Sequence, residues 1–363
     1  MDLTGSANTD THMNTKVLVC SNIPGLCAAV ERAAASAGAR VILQQRSAEE
    51  LTGAHAAEWR ASEVVVADPG LVAHMLDSAS GLRWMQSTWA GVNTIFSKSR
   101  RRDFALTRLG GCFGMQMSEY VLGYMLMLER RLLTARDHQK DKSWSPDDFK
   151  PANDAGPRPL KSLTLGLLGC GDIGMQIAKA GKIHAMRVIA FRKNLENRDV
   201  CVDELTPSIP HLLANSDYIV NILPSTPQTR GLLSGDTLRH CTESIAGRRP
   251  PVFINVGRGD VVDEDSLVKA LDHSWLSAAV LDVFETEPLP ATSRLWTHPK
   301  VLTTPHISAV SYADDVAALF VQNLVLYQGG SALKGGESAG WWDQERGGDV
   351  SRLLYKVDWT KGY

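Results

Sequence analysis

The chain has 363 residues, enough for about two domains at roughly 100–200 residues each. Hydrophobic residues make up 44% and charged residues 21%, which excludes a mainly disordered, collagenous or coiled-coil chain. Thirty-eight basic against forty acidic residues leave a formal charge of −2, so no global positive field exists to hold nucleic acid or anionic lipid.

Residues 1–14 are rich in Gly, Ser, Asn and Thr and lack both arginine and an apolar core. They read as a flexible tail, neither signal nor transit peptide. The six cysteines (Cys20, Cys27, Cys112, Cys170, Cys201, Cys241) show no C-x-x-C and no Cys/His metal spacing. Free thiols in a reducing compartment, no metal and a cytoplasmic location are the expectation. The longest apolar run, near Tyr120–Leu128, falls short of the ~20 residues needed to cross a bilayer.

From Lys16 short β-rich runs alternate with helical stretches. Lys16–Cys20 and Arg40–Leu43 read as buried strands, with the alanine-rich Leu26–Ala37 as the helix between them. Val64–Ala67 and Leu82–Gln86 continue the series, which implies a parallel sheet. Phe113 to about Asp141 predicts one long helix with Met117, Val121, Tyr124 and Leu128 on one face. The polar segment Lys140–Pro159 follows as a hinge or arm. A second series then begins: strand Leu163–Leu168, a glycine turn, and helix Ile173–His184. Val188–Phe191, Tyr218–Ile222, Val252–Val256 and Ala278–Val283 supply further strands, and Ser311–Gln328 one last helix. Gly329–Asp349 is Gly/Ser-rich and reads as a surface loop, although Trp341 and Trp342 spoil a purely disordered reading.

Gly169-Cys170-Gly171-Asp172-Ile173-Gly174 fits G-x-G-x-x-G, follows an apolar strand and opens a helix. A pyrophosphate there would meet free backbone N–H groups and the helix dipole. The first glycine permits the tight turn, the second lets backbone approach phosphate, and the third lets helix pack on strand. The alternative is a plain tight turn. An NAD site has an acid about twenty residues on, at the end of the second strand, to take the ribose hydroxyls. This chain reads Phe191-Arg192-Lys193-Asn194, with no acid until Glu196. Two cations there favour NADP(H), with NAD(H) still open, since both cations pair with a 2′-phosphate. A solvated basic loop is the plainer alternative.

Three further stretches each follow or end a predicted strand of the second series: Asn255–Asp260, Leu281–Pro290 and Thr304–Ala309. Ligands of open parallel sheets lie beyond the carboxyl ends of strands, so an arginine, a carboxylate and a histidine would converge there. These types suit reversible 2-oxoacid reduction. Arginine holds the substrate carboxylate and polarises the 2-oxo group. Histidine delivers a proton, and a carboxylate behind it favours the charged ring. Singly, Arg258 is as well a structural ion pair, Glu287 a loop acid and His306 a core histidine. Three such stretches downstream of a dinucleotide fingerprint favour the active-site reading.

With these motifs the sequence resembles the D-isomer-specific 2-hydroxyacid dehydrogenase family, from about Lys16 to Gln328 and again over Val357–Tyr363. The resemblance includes Gly169–Gly174, Leu223–Arg230, Asn255–Asp260, Asp282–Pro290 and Pro305-His306. Trp89 and Phe113-Gly114-Met115-Gln116 are similar to the glyoxylate/hydroxypyruvate reductase branch. The resemblance implies an α/β fold of two Rossmann/flavodoxin-like doubly wound parallel-sheet domains, the first discontinuous, with the active-site cleft between them. On this sequence that gives a substrate-binding domain over 15–117 and 307–363 and a dinucleotide-binding domain over 118–306.

By the same resemblance Arg258 binds substrate, Glu287 assists, His306 is the acid/base and Asp282 supports the site. Trp89, Ala90 and Gly91 belong to a substrate-binding loop, where the Ala90 and Gly91 N–H groups would hold a carboxylate. Asn93 stands where family members often have Asp and takes no charge-dependent role. Cofactor contacts are implied for Gly169, Cys170, Gly171, Asp172, Ile173, Gly174, Arg192, Lys193, Leu223, Pro224, Thr229, Val256, Gly257, Arg258, Asp282 and His306. The helix after Phe113 and its arm resemble the family's homodimerisation element, which would carry Trp144 toward a partner. Thr242–Pro251 and Ser331–Asp349 are insertions relative to the family pattern. The function implied is NADPH-preferring reduction of small 2-oxoacids to D-2-hydroxy acids, without nucleic acid, membrane or metal. A dinucleotide-sensing interaction protein like the C-terminal binding protein corepressors, or an NAD-linked dehydrogenase of another substrate, are the alternatives.

Overall fold

A computed structural model describes residues 15–150, 156–192, 200–243, 249–329, 350–360 and 362. Its chain divides into two units, residues 1–110 with 311–363, and residues 111–310.

In the first unit the strands are β1 (Thr15–Cys20), β2 (Val41–Gln45), β3 (Val64–Ala67), β4 (Trp84–Ser87) and β5 (Ala105–Thr107), the first three carrying the β-branched runs. Between them lie α1 (Leu26–Ser36), α2 (Ala48–Thr52), α3 (Ala56–Ala61), α4 (Pro69–Val72) and α5 (Asn93–Lys98). The sheet is wholly parallel in the order β2-β1-β3-β4-β5. Strands buried on both faces explain the continuous apolar runs, all four residues of β3 being buried. The C-terminal segment returns to this unit, where Val357 N–H donates to Leu106 O and the Trp359 indole to Phe104 O. It covers the β5 edge, which would otherwise offer unpaired backbone groups.

The second unit opens with α6 (Phe113–Glu129) and α7 (Leu132–Lys140). Then come β6 (Thr164–Leu168), α8 (Asp172–Ile183), β7 (Arg187–Phe191), β8 (Glu204–Thr206), α9 (Ile209–Asn215) and β9 (Tyr218–Asn221). β10 (Val252–Asn255), α10 (Glu264–Asp272), β11 (Ala278–Leu281) and β12 (Val301–Thr303) complete it, and α11 (Ala313–Tyr327) belongs to the first unit, packed on α1. Its sheet is also parallel, in the order β12-β11-β10-β9-β6-β7-β8. The carboxyl ends are flush: Phe191, Leu168, Asn221, Asn255, Leu281 and Thr303 are register partners in turn. Arg192, Gly169, Ile222, Val256, Asp282 and Thr304 therefore follow along one edge, neighbours about 4.8 Å apart.

The single helix expected over 113–141 is two helices, broken where Arg131 takes a left-handed φ of 51°. The buried stripe also differs from the expected one, running Phe113, Met117, Val121, Met125 and Glu129 rather than through Tyr124 and Leu128. Glu129 ends it because Arg158 pairs with its carboxylate at 2.6 Å and with Asp217 at 3.0 Å, while the Tyr218 hydroxyl donates to Glu129 at 2.9 Å. Arg249, at the end of the Thr242–Pro251 insertion, brings a further cation within 3.9 Å of Glu129. Breaking such a buried set by removing one partner costs about 3–5 kcal/mol. Among the described residues α7 has no such buried ion-pair set; it buries no residue and exposes Leu132 and Leu133. α6 goes whole with the second unit, packed on α8, rather than dividing at residue 117.

β5, β8 and β12 are three-residue strands that periodicity did not reveal. Trp341, Trp342, Lys193 and the whole of the Ser331–Asp349 insertion lie outside the described residues. No helix among the described residues is long and apolar enough to cross a membrane.

Candidate active site

The glycine turn sits between β6 and the 12-residue α8. Gly169 has φ +113°, a conformation that a side chain would strain. A Cβ on Gly174 would lie 2.5 Å from the Gly169 carbonyl oxygen, so only glycine lets the helix approach the strand. Gly171, the N-cap, faces open space and provides no side-chain cap to the first turn of α8. That leaves backbone N–H groups and the positive dipole end for an anion, so these residues fit a dinucleotide pyrophosphate. Cys170 is half-buried with Sγ 3.2 Å from the Met175 sulfur, and Asp172 accepts from Gly111 N–H at 3.1 Å. Ile173 is half-buried at the start of the helix. Arg192 follows β7, its N–H bound to Thr206 O at 3.0 Å.

Two buried asparagines, unassigned in the sequence reading, shape the loops after β9 and β10. Asn221 Nδ2 donates to Asn255 Oδ1 at 2.8 Å, and Asn221 Oδ1 takes the Leu223 N–H. Asn255 Oδ1 also takes the Gly257 N–H, and its Nδ2 donates to Arg258 O. Each stands fourth in a predicted strand, and that shared position was the signal available in the sequence. Beyond Pro224, the Thr229 hydroxyl donates to Pro224 O at 2.6 Å and accepts from Thr226 N–H, closing that loop on itself. Val256 is buried. A Cβ on Gly259 would lie 1.9 Å from the Phe284 carbonyl carbon, so glycine there lets the Arg258 loop pass against the loop carrying Glu287.

Glu287 and His306 meet. The Glu287 Oε2 to His306 Nδ1 distance is 2.8 Å, and the other carboxylate oxygen takes the Phe284 N–H at 3.0 Å. Both side chains remain open, 37% and 45% exposed, so a small molecule can reach them. With Nδ1 engaged, Nε2 is the free ring nitrogen among the described residues. The Glu287 hydrogen bond raises the His306 pKa above its ordinary value against the opposing effect of burial, with Arg258 lowering it and Asp282 raising it further. Burial pushes the Glu287 carboxyl up, but the His306 and Phe284 hydrogen bonds and the charges of His306 and Arg258 together hold it below its usual range. Arg258 is half-buried, with Nη1 donating to Gly257 O at 2.6 Å.

Asp282 is fully buried behind this pair. Oδ1 accepts from the Thr304 hydroxyl at 2.6 Å and Ile307 N–H at 2.8 Å, Oδ2 from Ser308 N–H at 2.9 Å. His306 N–H donates to Asp282 O at 2.9 Å, and His306 itself is left-handed, φ 56°. In the first unit, Trp89, Ala90 and Gly91 form the bend between β4 and α5, with Trp89 O held by the Ser87 hydroxyl at 2.8 Å and Leu109 N–H at 3.0 Å. The Ala90 and Gly91 N–H groups have no partner among the described residues.

A glycine turn at a helix N-terminus and a carboxylate-backed histidine on the same sheet edge are the parts of a nicotinamide-dependent dehydrogenase. The sequence pattern of one such family, described as D-isomer specific 2-hydroxyacid dehydrogenase, NAD binding domain, matches residues 122–308. The solved D-isomer specific 2-hydroxyacid dehydrogenase family protein from Aeromonas salmonicida is 32% identical, with a TM-score of 0.76 over 95% of this chain and 99% of its own. Glyoxylate/hydroxypyruvate reductase A of Yersinia enterocolitica is 29% identical over 297 residues, 77% of this chain and 89% of that protein. The NADPH-dependent glyoxylate/hydroxypyruvate reductase of Sinorhizobium meliloti, solved with NADP and sulfate, is 26% identical with a TM-score of 0.70, covering 96% of this chain and all of its own. The chain belongs to the D-isomer specific 2-hydroxyacid dehydrogenase family and is an oxidoreductase of that kind.

Proposed function

We propose that the protein is an NADPH-preferring reductase of small 2-oxoacids, of the glyoxylate and hydroxypyruvate type, giving D-2-hydroxy acids. The observation that carries this reading is the 2.8 Å His306–Glu287 pair within the electrostatic reach of Arg258. Arg258 holds the substrate carboxylate and draws charge from the 2-oxo group. His306, kept protonated by Glu287, donates from Nε2 to the 2-oxo oxygen. A bound NADPH supplies the hydride. Asp282 fixes the turn that carries His306. In the first unit the free N–H groups of Ala90 and Gly91 suit a carboxylate, with Trp89 beside them.

The dinucleotide contacts we assign are Gly169–Gly174, Leu223, Pro224, Thr229 and Val256–Arg258, with Arg192 on the 2′-phosphate. The NADP-bound relative supports the cofactor choice, as does the absence of an acid directly after β7. A homodimer is part of the reading, because α7 leaves Leu132 and Leu133 open and Trp144 beyond it is 95% exposed. The scattered cysteines suit a reducing, cytoplasmic setting.

A panel of 2-oxoacids assayed with NADPH and with NADH tests the proposal through the absorbance of the reduced nicotinamide. Glyoxylate and hydroxypyruvate are reduced best, and NADPH outperforms NADH at equal concentration. Arg192→Asp moves the preference toward NADH by about 1.5–3 kcal/mol, the worth of a charged hydrogen bond. Better use of NADH than NADPH by the wild type overturns the cofactor assignment.

A further inference from the structure

The hydrogen bonds around Asp282 continue away from His306 to a helix that carries no assigned site residue. Thr304 Oγ1, which donates to Asp282 at 2.6 Å, lies 2.6 Å from the Tyr120 hydroxyl on α6. A threonine hydroxyl has one proton, already given to the carboxylate, so it accepts from the tyrosine. The direction of the chain is thereby fixed: Tyr120 O–H to Thr304, Thr304 O–H to Asp282, and Asp282 to the backbone N–H groups of Ile307 and Ser308. Burial keeps the Tyr120 phenol protonated far above neutral pH, so it remains a donor. Its titratable neighbours are Tyr124, whose ring is 4.8 Å away, and Asp282.

His306 sits at the far end in a left-handed conformation, which is strained for a residue bearing a side chain and persists only where its surroundings hold it. The holding groups are those bonds from 306, 307 and 308 to Asp282. A buried carboxylate keeps that geometry only while its donors stay in place. We propose that Tyr120 and Thr304 are positioning residues of the acid/base site, clamping Asp282 so that the strained His306 turn keeps its ring on Glu287. The proposal rests on the reading of His306 as the acid. It extends the site to α6, the helix that packs along the dinucleotide helix α8.

The charged groups facing His306 are Glu287, Arg258 and Asp282, of which Glu287 has the largest influence. Loosening the turn weakens the Glu287 contact first. That outweighs any strengthening of the Asp282 field, and the imidazole pKa moves down. Thr304→Val removes the central hydroxyl, Tyr120→Phe only the terminal one, and Thr304→Ser preserves the chain.

The imidazole titration is followed by NMR in the cofactor-free protein, the His306 signal being assigned by its loss in His306→Ala. Reduction of glyoxylate with NADPH is measured across pH on the same proteins. Thr304→Val lowers the His306 midpoint and cuts kcat by up to about 100-fold, the cost of misplacing a reacting group by roughly 1 Å. Tyr120→Phe produces the same changes in smaller degree, and Thr304→Ser restores the wild-type midpoint. NADPH binding stays unchanged in all three. If Thr304→Val fails to fold, Tyr120→Phe, which loses a single oxygen, decides the matter. A folded Tyr120→Phe or Thr304→Val with wild-type midpoint and kcat overturns the proposal while His306→Ala is inactive. Full activity in His306→Ala would instead overturn the reading of the site beneath it.

Discussion

Each sheet has a buried aspartate directly after a strand, and the two are used differently. Asp68 follows β3 and collects the Ser21 hydroxyl at 2.6 Å, the Asn22 N–H at 2.8 Å and the Thr88 hydroxyl. Asp282 follows β11 and collects the Thr304 hydroxyl and the Ile307 and Ser308 N–H groups. In both, a carboxylate at the carboxyl end of a parallel strand ties down neighbouring loops that would otherwise have unpaired donors. Around Asp68 the tied residues are small and polar. Around Asp282 the tied loop carries an imidazole, held against a second carboxylate 2.8 Å away. The same structural device becomes chemical only where it positions a group that titrates near neutrality.

The sharpest way to break that contrast is to remove the titrating group. His306→Ala lowers kcat for glyoxylate reduction by about 100- to 10,000-fold, the usual contribution of a general acid, with NADPH affinity nearly unchanged. Steady-state kinetics beside fluorescence binding checks both halves, and a wild-type rate would end the catalytic assignment. Arg258→Lys comes next. Losing the planar fork costs about 1.5–3 kcal/mol of charged hydrogen bonding, so KM for the 2-oxoacid rises about tenfold or more while kcat changes less.

Substituting the two aspartates tests the comparison itself. An amide offers a single acceptor oxygen and cannot satisfy three donors, so Asp68→Asn and Asp282→Asn each lose about 1–3 kcal/mol of stability. Thermal melts fall in both. Only Asp282→Asn also lowers kcat in the folded protein, and an equal loss in Asp68→Asn would erase the distinction.

The smallest effect is a displacement along the pH axis. Glu287 raises the His306 pKa, so the charged acid persists above the free value of about 6.5. Reduction is therefore flat below that raised pKa and falls as pH climbs through it, while oxidation of the hydroxy acid improves. Glu287→Gln removes the largest influence on His306, and the falling limb of the reduction profile moves to lower pH. A limb that stays in place would mean that Glu287 does not govern the proton on His306.

The sequence by itself determined what depends on neighbours along the chain. β-branched runs, the alternation of strand and helix, and a glycine turn between β6 and α8 are local choices of backbone conformation and burial pattern. The Arg258 and Glu287 stretches were equally legible, since each follows a strand that periodicity reveals, whereas the His306 stretch was legible through its Pro305-His306 motif and its place after the other two. Tertiary structure decided what depends on residues distant in sequence. The stretch 113–141 breaks at Arg131, just past Glu129, whose buried carboxylate is held by Arg158, 29 residues away, whereas apolar spacing alone would have carried the helix through. Short strands such as β12 have too few residues for a period and exist because a neighbour presents a ladder to them. The pairing of Glu287 with His306 across 19 residues, and of Tyr120 with Thr304 across 184, has no local signature. Buried hydrogen bonds are selected by the register of the strands that bring their ends to one edge, and that register is set only when the whole sheet closes its core.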